Sequence, residues 1–87
     1  MMLPFREITV LIKTMIGQEF SVKLLEESTV YDLKLKVYYE LEMFPEQQVL
    51  MYMNEELEDD EETLSMYNIV DGATIKLFPK VSSGFLL

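Results

Sequence analysis

The chain has 87 residues, 49% of them hydrophobic, a formal net charge of −9 and no Cys, His or Trp. That is enough for one compact domain with one core. It excludes disulfides, thiolate metal sites, a Cys nucleophile and the commonest neutral-pH general base, and a charge of this sign repels phosphate backbones.

Ile8 to Lys13 is rich in β-branched residues, with Ile8, Val10 and Ile12 on one face and Thr9, Leu11 and Lys13 on the other. Gly17, inside Thr14-Met15-Ile16-Gly17-Gln18, supplies the positive φ of a hairpin turn. Glu19 to Leu25 then alternates, Phe20, Val22 and Leu24 opposite Glu19, Ser21 and Lys23, so the two runs predict a hairpin with one buried face.

A helix follows. Thr29 is its N-cap, and Asp32 three residues on completes a capping box at the positive end of the dipole. Val30, Leu33, Val37 and Leu41 form an apolar stripe, with Tyr31, Lys34 and Lys36 largely outside it. The helix is expected to end near Met43, because Pro45 disfavours helical backbone at Phe44.

Val49 to Tyr52 reads as a short strand with Leu50 and Met51 on opposite faces. Asn54 offers a turn, Leu57 is a lone apolar anchor, and Thr63 to Tyr67 reads as a short helical turn. After the Asp71-Gly72 turn, the last strand runs Thr74 to Phe78, with Ile75 and Leu77 on one face and Lys76 and Phe78 on the other; Pro79 ends it. The expected fold is α+β, a mixed sheet with one main helix packed on one face. The expected organisation is a leader over residues 1–7, a domain over 8–80 and a flexible tail or linker start over 81–87.

Parity locates a surface. If Val10, Ile12, Leu50, Ile75 and Leu77 face the helix, then Leu11, Met51, Lys76 and Phe78 point to the open side. Apolar groups on an uncovered face call for a partner. The run Glu55 to Glu62 is read as a solvated loop; its spacing lacks the alternating ligands and central Gly of a calcium loop. No nucleophile–base pair, Gly-rich phosphate loop, metal set or cofactor motif is present in the sequence, so the chain reads as neither an enzyme nor a cofactor carrier. No apolar run is long enough to span a bilayer.

The element order, with Lys13-Thr14, Pro45-Glu46-Gln47-Gln48, Leu57-Glu58-Asp59, Thr63-Leu64-Ser65 and Tyr67-Asn68-Ile69, resembles the ubiquitin-like (β-grasp) family over Ile8 to Lys80. The resemblance implies a core of Val10, Ile12, Phe20, Val22, Leu24, Val30, Leu33, Val37, Leu50, Leu57, Leu64, Ile69, Ile75 and Leu77. It implies that the Tyr67 hydroxyl bonds to backbone of the adjacent loop. It places a hydrophobic docking patch at Met15, Met51, Lys76 and Phe78, where Lys76 stands for a family His, and a secondary surface near Met43 and Pro79. Conjugated members carry Gly-Gly after the last strand; here the corresponding residues are Ser83-Gly84, followed by Phe85-Leu86-Leu87, which argues against conjugation. One extra residue between Asp59 and Thr63 should make that loop bulge.

The function so implied is a monomeric, non-catalytic protein-interaction module of a larger protein, in cytoplasm or nucleus. It would bind ubiquitin-interacting helices, proteasome or unfoldase-adaptor partners, and neither nucleic acid nor membrane. The alternatives are a free-standing modifier and a β-grasp scaffold of the PB1 or Ras-binding kind.

Overall fold

The computed structural model describes residues 5–81. The expected leader therefore lies outside the described residues over 1–4, and the expected tail lies outside them beyond Val81, Ser83-Gly84 included. Among the described residues there are five strands and one α-helix, in the order β1 (Glu7–Thr14), β2 (Glu19–Leu25), α1 (Val30–Leu41), β3 (Gln48–Tyr52), β4 (Glu55–Glu56) and β5 (Thr74–Pro79). Short 3₁₀ turns occupy Pro45–Gln47 and Ser65–Tyr67. The sheet order is β2-β1-β5-β3-β4, with β1 and β5 parallel at its centre and the other pairs antiparallel.

Alternation in the sequence becomes the two faces of this sheet. Val10, Ile12, Leu50 and Ile75 are fully buried, and Val30, Leu33 and Val37 of α1 share their core. Each such side chain contributes about 1.5–3 kcal/mol on leaving water. Thirteen of the fourteen expected core positions are buried; the exception, Phe20, is half-buried and packs against the core from β2. Ile8 and Ala73 complete it.

The capping box of α1 is reciprocal: Thr29 Oγ1 accepts from the Asp32 amide at 3.1 Å, and Asp32 Oδ2 accepts from the Thr29 amide at 3.0 Å. The next amides are satisfied across the chain, because Val30 donates to the Glu62 carbonyl at 2.9 Å and Tyr31 to the Asp60 carbonyl at 3.0 Å. The acidic run thus closes onto the positive end of the helix, where carbonyls and carboxylates are both favoured. At the other end the helix stops at Leu41, short of the expected Met43. Glu42 takes a left-handed conformation (φ 62°) and its amide bonds to the Tyr38 carbonyl. Phe44 is extended before Pro45, as the proline ring requires.

Further expectations are corrected. Lys34, read as largely outside the apolar stripe, sits at its edge between Val30 and Val37 and is buried at 8% exposure, and its Nζ lies 2.8 Å from Asp60 Oδ1. The acidic run is therefore not simply a solvated loop: Asp60 anchors it, Leu57 is buried at 1% exposure, and Glu62 donates its amide to the Asp59 carbonyl in a tight turn. Strand β4 follows a two-residue turn with Met53 at φ 51° and Asn54 at φ 69°; only Asn54 signalled it. Strand β1 also begins one residue earlier than expected, and β3 begins at the buried Gln48, whose Nε2 donates to the carbonyls of Lys34 and Met43 at 2.9 and 2.8 Å. That side chain ties β3 to the helix and to the loop after it. The bond expected of Tyr67 is present, its hydroxyl accepting from the Asp59 amide at 3.1 Å.

Candidate docking face of the sheet

The strand register sets the open face out in rows. Directly opposed residues run Glu19–Lys13 between β2 and β1, Lys13–Lys76 between β1 and β5, Lys76–Met51 between β5 and β3, and Met51–Glu56 between β3 and β4. Opposed residues share a face, so Glu19, Lys13, Lys76, Met51 and Glu56 form one line across the sheet. Phe78 lies opposite Val49 on one side of that line. Leu11, flanked by Ser21 and Thr74, lies on the other.

Two shallow depressions meet at Lys76 and Phe78. One, of about 240 Å³, is lined by Lys13, Thr14, Met15, Lys76 and Phe78. The other, of about 150 Å³, is lined by Met51, Met53, Asn54, Thr74, Lys76 and Phe78. Four of the five patch residues expected from sequence, Met15, Met51, Lys76 and Phe78, are therefore brought together. Leu11 shares the face, half-buried, but lines neither depression.

The electrostatics are uneven. Lys13 and Lys76 stand side by side, a like-charge pair that weakens the sheet locally. Glu19 reaches Lys13 at 3.8 Å; among the described residues no carboxylate is within ion-pair distance of Lys76. In a chain of charge −9 the centre of the open face is thus locally cationic and flanked by Met and Phe. Such a surface suits an apolar anchor with a nearby carboxylate.

Lys13, Thr14, Met53, Asn54 and Thr74 line the depressions without having been expected there, and Val49 adjoins Phe78. Met53 is 79% exposed and is held in left-handed backbone at the rim, a conformation unfavourable for a residue other than Gly, Asn or Asp. Its position after an alternating strand and before Asn was the available signal. Val49 was seen as strand but not as the cross-strand neighbour of Phe78, which needs the β3–β5 register.

The expected secondary residues, Met43 and Pro79, line a separate groove of about 380 Å³ with Met15, Ile16, Leu41 and Leu77. Its walls are almost wholly apolar, and Ile16 at its mouth is 87% exposed. Met15 lines both this groove and the first depression, so the two surfaces are continuous around the β1–β2 turn. Gly17, at φ 88°, allows that turn to present Met15 and Ile16 outward. Among the described residues, no group of three or more acidic side chains is placed to hold a metal ion, and no helix is long and apolar enough to cross a membrane.

A family model described as the ubiquitin family matches residues 10–82, most of the chain. No curated protein matches it. The chain belongs to the ubiquitin family, and its mixed five-stranded sheet with one main helix is the β-grasp fold.

Proposed function

We propose that this member of the ubiquitin family is a non-catalytic interaction module that receives an apolar helix on the open face of its sheet. The partners are ubiquitin-pathway proteins: ubiquitin receptors, the proteasome or unfoldase adaptors. One observation carries the reading. Met51, Lys76 and Phe78 converge on two adjoining depressions of a face that no part of residues 5–81 covers. Fold alone does not decide function, so the weight rests on that surface.

The mechanism is docking by shape and charge. An apolar side chain of the partner enters beside Phe78, Met51 adapts to it through its flexible thioether, and Lys76 pairs with a partner carboxylate. Met15 and Met53 close the rim on either side. No proton transfer, nucleophile or cofactor enters this activity. The module works as a monomer in the cytoplasm or nucleus. It is not conjugated, since Ser83-Gly84 stands where conjugated members have Gly-Gly, and a Ser side chain obstructs a channel shaped for glycines.

Titration of the ¹⁵N-labelled chain with a helical ubiquitin-interacting peptide tests this. Shifts should cluster at Met15, Met51, Lys76 and Phe78. Shifts confined to the acidic run, or none, would refute the docking assignment. Incubation with ubiquitin-activating enzyme and ATP should leave the chain unmodified; a thioester product would overturn the non-conjugated reading.

A further inference from the structure

The helix carries a second apolar stripe that the core does not use. Tyr31, Leu35 and Tyr38 recur at i, i+4 and i+7 on the side of α1 away from Val30, Leu33 and Val37, and Tyr39 adjoins them. Tyr31 is 44% exposed and Tyr39 77%; Leu35 and Tyr38 are half-buried but lie outside the core cluster. Just past the helix, Phe44, 60% exposed, stacks on Tyr38 with ring centroids 5.4 Å apart and planes 19° apart. Tyr39 meets Tyr38 edge-on, with ring centroids 5.5 Å apart. The left-handed turn at Glu42 brings Phe44 back onto the helix. A surface helix with one apolar face needs one partner; this helix has two such faces and, among the described residues, one is unpartnered.

The charges around the aromatic group select its occupant. Glu42 and Glu46 flank Phe44 along the chain and Asp32 lies on the same side of the helix as Tyr39, while Glu40 and Lys36 fall on the far flank and Lys34 is paired with Asp60. A second copy of the chain would bring the same carboxylates face to face, with −9 on each molecule. An arginine-bearing partner meets the opposite situation. Its guanidinium stacks on exposed Tyr and Phe rings while the carboxylates attract its charge.

We propose that the outer face of α1, built on Tyr38, Tyr39 and Phe44, is a second docking surface that takes a basic, arginine-containing segment of another protein. It lies on the opposite side of the fold from the open sheet face, so it does not depend on a helix docking there. One chain could then hold two partners at once.

The probe is a synthetic amphipathic helical peptide of leucine and arginine, titrated into the ¹⁵N-labelled chain at moderate salt. Shifts should centre on Tyr31, Leu35, Tyr39 and Phe44, and should vanish when citrulline replaces arginine. The Tyr39→Ser/Phe44→Ser double variant keeps every carboxylate and should bind about tenfold more weakly. Tyr39→Ser alone, at a position already largely in water, should move affinity in the same direction with the fold intact. The Met51→Ala/Phe78→Ala variant should bind this probe as the parent does, which separates the result from the sheet-face reading. The proposal is overturned by shifts centred on the Glu55–Glu62 run, by no shift, by unchanged affinity of the serine variants, or by a dimer in sedimentation that these variants abolish.

Discussion

The two faces of the sheet are made from neighbouring residues of the same strands, yet they obey different rules. Leu50 and Leu77 are opposed across β3 and β5 and sealed under the helix; Met51 and Lys76, one residue along each strand, are opposed on the wet side. On the inner face the core is built of aliphatic side chains, with Phe20, Tyr52 and Tyr67 packed at its margin, and what matters there is volume. On the outer face a Met, a Phe and two lysines share a small area with one weak ion pair. That arrangement adds little to stability, so it has to be explained by something outside the chain. Stability and recognition are therefore divided by the pleat, and substitutions at adjacent positions should have opposite profiles.

The inner face should give the largest losses of stability. Leu50→Ala or Leu33→Ala, at fully buried positions, should cost about 2–5 kcal/mol, through lost transfer energy and the cavity left behind. Chemical denaturation would measure it, with the midpoint shifted and the slope unchanged. Val49→Ala, next in sequence to Leu50 but on the outer face, should cost less than about 1 kcal/mol. Comparable losses at the two positions would break the division between the faces.

Lys34 and Asp60 sharpen the comparison, because they are a polar contact on the covered side. The Lys34 side chain is 11% exposed and that of Asp60 45%. Asp60→Asn leaves an ammonium largely buried without its counter-charge and should cost about 1–2 kcal/mol, reduced from the fully buried case by screening at Asp60. Lys34→Met leaves only a half-exposed carboxylate that water can reach, and should change stability by less than about 1 kcal/mol in either direction. Thermal melts of both variants would decide it; the reverse order would show that the pair is not desolvated as its geometry indicates. Tyr67→Phe removes the acceptor of the Asp59 amide and should cost about 1 kcal/mol by the same measurement.

Much of this was legible in the sequence because period and sterics are local. Alternation assigned Leu50 inward and Met51 outward, Thr29 with Asp32 announced the start of the helix, and Pro45 set extended backbone at Phe44. What was not legible depends on distant chain. Lys34 lies between Val30 at i−4 and Val37 at i+3, which marks the covered side, but its counter-charge Asp60 arrives from the distant acidic run and nothing local signals that. Met53 belongs to the docking rim because a two-residue turn holds it at positive φ, where Met is not an expected choice. The helix ended early because Glu42 adopts a left-handed cap that Gly would normally mark. At the candidate site, parity found the face, but only the register could pair Val49 with Phe78 and Lys13 with Lys76.

The smallest expected effect on the fold belongs to the site itself, and it is the most informative. Met51 and Phe78 are half-buried, and neither belongs to the core cluster. Met51→Ala and Phe78→Ala should each change unfolding free energy by less than about 1 kcal/mol. The same two changes take Phe78 from both depressions and Met51 from one, leaving only Met15 and Met53 as apolar lining, and a few such anchors carry most of the energy of a docking surface. Affinity for a ubiquitin-interacting helical peptide, measured by calorimetry, should therefore fall by about tenfold or more in each variant while the melting curve barely moves. Lys76→Glu separates the two components of the contact. It keeps the depressions' backbone frame, relieves the repulsion with Lys13, and reverses the charge facing the partner. Stability should hold or rise slightly while binding weakens and loses its salt dependence. If Lys76→Glu left affinity unchanged and Phe78→Ala abolished it, the contact would be apolar anchoring alone, and the lysine pair would need a different explanation.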